Sequence, residues 1–215
     1  DIRGAAGAVR AAFSATWWRC ARAQAFVKKP CARSSPPPTG GVSGSGRMLA
    51  SVDDDAQLLA AWRTGDAFGF VKTSWLINDG SGCQVELLDG LQNLLPANVS
   101  EWTQTALSPL LDAYKRNELD AASGLGIFTL NSTLTDLAEP SESLLATLVW
   151  QVGLEARAYL LSSRQLDAFR TGLGVETETE TRGMRGAYFV HTGFGLASGA
   201  QREWHLAADV SQDAA

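Results

Sequence analysis

The residue types here that could do chemistry are carboxylates, two histidines, glycine-rich loops and tryptophans. Paired Asp or Glu side chains can hydrolyse a glycosidic bond, one as acid and the other as base or nucleophile. Asp112, Glu118, Asp120, Asp136, Glu139 and Glu142 supply the acids, but their spacing does not set any two across a cleft, and a solvated face accounts for them. His205 falls on the polar side of a strand pattern and His191 lies within AYFVHTG, so both read as structural. No Gly-x-Ser-x-Gly elbow and no Cys–His pairing is present for nucleophilic catalysis. The pairs Gly124/Gly126, Gly172/Gly174 and Gly193/Gly195 lack the strand–turn–helix setting with three spaced glycines that cradles a pyrophosphate, and read as turns.

Aromatic rings stack on sugar faces, and the chain has 7 tryptophans. Trp75, Trp150 and Trp204 are in phase with apolar neighbours and are expected, with Val85, in one core. Trp102, in the polar stretch SEWTQ, is the exposed one. The densest polar cluster is Tyr114, Lys115, Arg116, Asn117 and Glu118, joined by Arg182 and Arg185 of a second turn. These residues and Trp102 are the candidates for contacting a carbohydrate or a neighbouring domain; a salt-bridged surface is the plainer account of the charged ones. No catalytic residue, metal ligand or cofactor site is indicated.

The elements that must position them centre on Phe68–Leu95. Val71, Thr73, Trp75 and Ile77 fall on one side of a first strand, and Cys83, Val85 and Leu87 alternate with Gln84 and Glu86 in a second. Asn78–Gly82 supplies the turn, because Gly and Asn/Asp tolerate the positive φ a hairpin needs. Gly90–Pro96 reads as a turn burying Leu91, Leu94 and Leu95. Strands are expected at Gly126–Leu130, Leu145–Gln151, Arg157–Leu161, Gly186–Phe194 and Glu203–Val210, with ETETET (Glu176–Thr181) an edge or loop. The last strand turns Trp204, Leu206, Ala208 and Val210 inward. Short helices are expected after Asp53–Asp55, from Ser108-Pro109 through LLDAYKRNELD, and over Ser162–Gly172. The fold class is mainly β: an antiparallel, supersandwich-like β-sandwich with two or three short helices and a disordered N-terminal segment.

Charge divides the chain. Residues 1–50 hold 8 of the 18 basic residues and 1 of the 23 acids, so that segment carries +7 and the remainder −12. An acidic body without a basic stripe excludes nucleic acid as the main partner. No apolar run approaches the ~18–20 residues that cross a bilayer, so no membrane partner is expected. Residues 1–50, with the linker-like SSPPPTGGVSGSG, form a basic, disordered segment in which Met48 suits a start; residues 51–215 form the sandwich. Cys20, Cys31 and Cys83 match no zinc or disulfide spacing, which points to a reducing, cytoplasmic setting. The final strand runs almost to Ala215, so the polypeptide is expected to continue.

The phrases GFVKTSWLINDGSGCQVELLDGLQNLLP, DAYKRNELD, SGLGIFTL, TDLAEPSESLLATLVWQVGL, LLSSRQLDAFRTG and ETETRGMRGAYFV together resemble the amino-terminal region of large bacterial cellobiose-phosphorylase-like proteins. The resemblance runs from about Asp66 to Asp213 and rests on fold-and-packing phrases. It implies a non-catalytic β-sandwich preceding an (α/α)6 barrel that carries the general acid and, in phosphorylases, the phosphate-binding groups. An oligosaccharide substrate would be reached through that barrel, and a homodimer is implied. No barrel sequence is present, so no catalytic residue carries over and the chain alone is expected to be inactive. Two other readings stay open: a free-standing glycan- or protein-binding sandwich working through Trp102 and Lys115/Arg116, and a small carboxylate hydrolase.

Overall fold

The computed structural model describes residues 22–28, 50–53, 56–64, 68–132 and 144–213. They form twelve strands and three short helices: β1 (Arg22–Lys28), β2 (Ala50–Asp53), β3 (Ala56–Arg63), β4 (Phe70–Asn78), β5 (Cys83–Leu94), α1 (Glu101–Ala106), α2 (Ser108–Ala113), β6 (Lys115–Asp120), β7 (Leu125–Leu130), β8 (Ala146–Val152), β9 (Ala158–Leu160), α3 (Leu166–Arg170), β10 (Glu180–Arg182), β11 (Gly186–Leu196) and β12 (Gln201–Gln212). Two sheets make an antiparallel β-sandwich. The large one has the order β10-β6-β7-β8-β12-β4-β3-β2 and the small one β1-β5-β11-β9. Within the segment 1–50, the described residues are strand residues, and β1 pairs antiparallel with β5, satisfying backbone groups that β5 would otherwise leave open. The remainder of that segment, with Cys20, Cys31 and Met48, lies outside the described residues, as do Asp136, Glu139 and Glu142.

The main core fills the space between the sheets. Leu58, Phe70, Leu76, Phe128, Val149, Trp204 and Leu206 of the large sheet meet Val85, Leu87, Leu91, Tyr188 and Val190 of the small one. A second cluster covers the other face of the small sheet, where Leu166 and Phe169 of α3 pack on Leu88, Leu160, Ala187 and Phe189. The β4–β5 hairpin forms as its turn residues require. Asn78 donates from Nδ2 to the carbonyls of Ser81 (2.8 Å), Ala197 (3.0 Å) and Leu196 (3.2 Å), tying the turn to the end of β11.

Several elements differ from the sequence expectations. The segment after Asp53–Asp55 is not a helix but β3, paired along its length with β4. Its Ala56, Leu58 and Ala60 are buried while Gln57, Ala61 and Arg63 are exposed, a period of two; a helix of this length has little stability of its own. The helix opened by Ser108-Pro109 stops at Ala113, and KRNELD is strand β6. Gly90–Leu94 is no turn, because β5 runs on through it. Gly90 is needed there: a β-carbon would lie 2.7 Å from Phe189 Cα on the neighbouring strand. Glu101–Ala106, a stretch given no element from the sequence, is a helix capped by Ser100, whose Oγ accepts from the Thr103 amide at 3.0 Å.

The largest correction concerns the hairpin's first arm. Val71, Thr73, Trp75 and Ile77 do share one side, but it is the outward one; Phe70, Lys72, Ser74, Leu76 and Asn78 point inward. Trp75 therefore donates from Nε1 to Glu203 on the surface, at 2.8 Å. Trp150 is outward too, edge-on to Phe68 with centroids 5.6 Å apart. Of the three tryptophans expected in the core, Trp204 alone is there.

Candidate functional site

The strand character of β6 decides the fate of the polar cluster. Successive side chains point to opposite faces, so Lys115 and Asn117 enter the sandwich while Arg116 and Glu118 stay outside. Lys115 is fully buried. It bonds Gln104 of α1 and pairs with Asp112 of α2 at 2.7 Å. Arg185 approaches the same carboxylate at 3.5 Å. Asn117 is also buried and donates to Thr181 Oγ1 at 2.9 Å. On the outward face, Arg116 pairs with Glu118 (2.7 Å) and Glu180 (2.9 Å), and Arg182 shares Glu180 at 2.7 Å. Tyr114 closes α2 and packs on the core.

The eight candidates thus divide. Arg116, Glu118 and Arg182 form one outward network with Glu180. Lys115 forms a buried one with Gln104 and Asp112, whose carboxylate the exposed Arg185 approaches from outside. Asn117 and Tyr114 serve packing, and Trp102 stands apart at 72% exposure. Gln104 lies two residues along α1 from Trp102, about 200° round the helix, so the helix buries one and presents the other.

The chemistry available to these networks is structural. Hydrogen bonds from Arg182 and Arg116 hold the Glu180 carboxyl below its ordinary range, which suits a fixed anion and not a general acid. For Asp112, burial pushes the carboxyl up, but the hydrogen bond and charge of Lys115, with Gln104 and Arg185, outweigh it and leave it lowered. A lowered folded-state pKa means the stabilisation is complete above the ordinary carboxylate pKa and is lost as pH falls through the folded value. Acid unfolding should therefore include an Asp112 contribution appearing below about pH 4. Asp112→Asn should remove that contribution, flattening the pH dependence in urea titrations at successive pH values; an unchanged slope would mean the Lys115 pairing contributes nothing.

A polar cluster that sequence reasoning missed lies at the centre of the sandwich. Lys72 of β4 pairs with Asp89 of β5, joining the two sheets, and both are essentially unexposed. Trp204 Nε1 donates to the other Asp89 oxygen at 2.6 Å, and Ser74 approaches that oxygen at 3.4 Å. The available signal was the parity of Lys72 and Ser74 with Phe70 and Leu76. The histidines are also held: His205 Nδ1 lies 3.0 Å from Thr73 Oγ1, and His191 packs edge-on to Phe169, with Nε2 3.4 Å from Glu86. Cys83 is a free, half-buried cysteine. Among the described residues, no group of three or more His, Cys, Asp or Glu could hold a metal ion, and no helix is long and apolar enough to cross a membrane.

No protein-family profile and no curated protein matches the chain. Among solved structures, one described as a polysaccharide lyase is similar at a TM-score of 0.46 with 12% sequence identity, over 86% of this chain and 25% of that one. The chain thus spans about a quarter of that protein's length.

Proposed function

We propose that the chain is the non-catalytic β-sandwich of a carbohydrate-active enzyme acting on β-glucosidic linkages, and that it supports an (α/α)6-barrel catalytic domain of the same polypeptide. The resemblance of its sequence phrases to cellobiose-phosphorylase-like proteins is what supports the substrate class. One structural observation carries the supporting role. Trp102 (72% exposed), Leu107 (39%) and Leu110 (51%) fall within nine residues on the α1–α2 pair, giving an apolar patch of the kind that marks a contact with another domain. The charged candidates are meanwhile committed to internal pairs. The exposure of Trp102 also favours the second reading, a free-standing module that stacks Trp102 on a glycan or a protein.

Sequencing the coding DNA downstream of Ala215 tests the proposal. An in-frame continuation of several hundred helical, acid-bearing residues is the expected result. A stop codon directly after Ala215 would overturn it and leave the binding module.

A further inference from the structure

The outward face of the large sheet carries aromatic side chains at two separated points with a histidine between them. In register, Trp75 lies opposite Glu203, His205 opposite Thr73 and Val152, and Ala207 opposite Val71 and Trp150. Trp75 and Trp150 are thus on β4 and β8, one strand apart on either side of β12, and offset along it by the four residues from Glu203 to Ala207. Strand spacing and rise place their backbones about 16 Å apart on the diagonal. Phe68, 50% exposed, stands against Trp150 and enlarges that end. Between them on the diagonal stands His205, flanked by the shorter Thr73 and Val71 of β4, Ala207 of β12 and Val152 of β8.

Polar groups are interleaved with the rings. Glu203 takes the Trp75 indole N–H at 2.8 Å, which fixes that ring, and lies 3.4 Å from His205 Nε2. Asp209 stands beyond Ala207 on the same face and accepts from Gln212 at 2.9 Å. Arg63, opposite Val71, is the base at the rim.

We propose that this strip binds a neutral, β-linked glucan chain, with Trp75 at one end and the Trp150–Phe68 pair at the other stacking on sugar rings. Such a chain is a flat ribbon whose rings present C–H faces to aromatic groups and hydroxyls along their edges, so it satisfies rings and carboxylates together. Glu203 and Asp209 accept hydroxyl hydrogens and repel phosphate or uronate groups, and residues 51–215 carry −12 overall, which excludes anionic polymers. An apolar protein segment would strip water from the Glu203 and Asp209 carboxylates and supply no donors for their remaining lone pairs. The site is separate from α1–α2. It takes the choice of sugar from the carbohydrate role proposed above, and its test does not depend on the coding DNA.

The experiment is titration calorimetry of the 215-residue chain with cellohexaose and with soluble mixed-linkage β-glucan, using soluble starch and polygalacturonate as comparators. Both β-glucans should bind and the comparators should not. Trp75→Ala and Trp150→Ala should each weaken binding about tenfold, the loss of one stacked ring, while Leu173→Ala, at an exposed position after α3, leaves it unchanged. Val152→Arg, at an exposed position of β8 opposite His205 that does not enter the core, should block the strip and abolish binding with unfolding unaltered. The proposal is overturned by absent β-glucan binding, by tighter binding of polygalacturonate, or by binding lost in Trp102→Ala and kept in the other variants. Concentration-dependent self-association broken by Val152→Arg, with no glucan bound, would also overturn it and assign the face to a second copy.

Discussion

Asp89→Ala is expected to destabilise the chain by about 3–5 kcal/mol, the usual result of removing one partner of a buried ion pair. The variant leaves the Lys72 ammonium in a dry interior, 1% exposed, with no carboxylate. It also strands two donors, since the Trp204 indole N–H and the Ser74 hydroxyl both point at Asp89 Oδ2. Water cannot easily substitute, because Leu87, Leu91 and Leu206 around the pair are fully buried. The pair itself is a different quantity. Desolvating two charges offsets most of their attraction, so Lys72→Met combined with Asp89→Leu should recover much of the loss. Urea unfolding of the single and double variants measures both. An Asp89→Ala loss below about 1 kcal/mol would show that the sandwich opens at this point and hydrates Lys72.

The same pair explains why part of the fold was illegible in the sequence. Strand positions could be read wherever one face was apolar and the other polar, as in β12. In β4 both faces are half apolar: Val71, Trp75 and Ile77 outside, Phe70 and Leu76 inside. Hydrophobicity alone then assigns the face wrongly, because the inner set contains Lys72 and Ser74, whose burial depends on Asp89 from a strand in the other sheet. The second half of β5 was hidden for another reason. Its leucines are buried on both sides, Leu87 and Leu91 in the main core and Leu88 beneath α3, so no alternation survives. β6 has the opposite defect, since KRNELD has a single apolar residue and its inward positions are Lys115 and Asn117. The turn chemistry of Asn78–Gly82 needed no tertiary partner and was read directly. For the candidate site, residue types were legible but their grouping was not. Arg116 and Arg182 meet only because β10 pairs with β6, more than sixty residues away in sequence. The outward strip of Trp75 and Trp150 depends on a strand order that local sequence does not encode.

Trp204→Ala is expected to cost about 3–5 kcal/mol, the range for truncating a large buried aromatic. Trp204 is completely unexposed and lies on the inner face of β12 with Leu206, Ala208 and Val210. Its neighbourhood cannot collapse readily onto a cavity, because the backbone beside it is already close: a β-carbon at Gly153 would sit 3.2 Å from Trp204 Cα. Trp204→Phe keeps most of the volume and removes the indole N–H, so it isolates the hydrogen bond to Asp89, worth about 1.5–3 kcal/mol for a charged acceptor. Because the two side chains touch, their losses should not add; the cycle with Asp89→Asn should return a coupling of about 0.5–3 kcal/mol. Trp75→Ala and Trp150→Ala give the internal contrast. Both rings are only half-buried on the outward face, and each truncation should cost about 1 kcal/mol or less. Equal losses for all three tryptophans in urea unfolding would mean that the outward face is packed as a second core. A Trp204→Ala loss no larger than that of Trp75→Ala would place the Trp204 ring outside the sandwich and reverse the facing of β12.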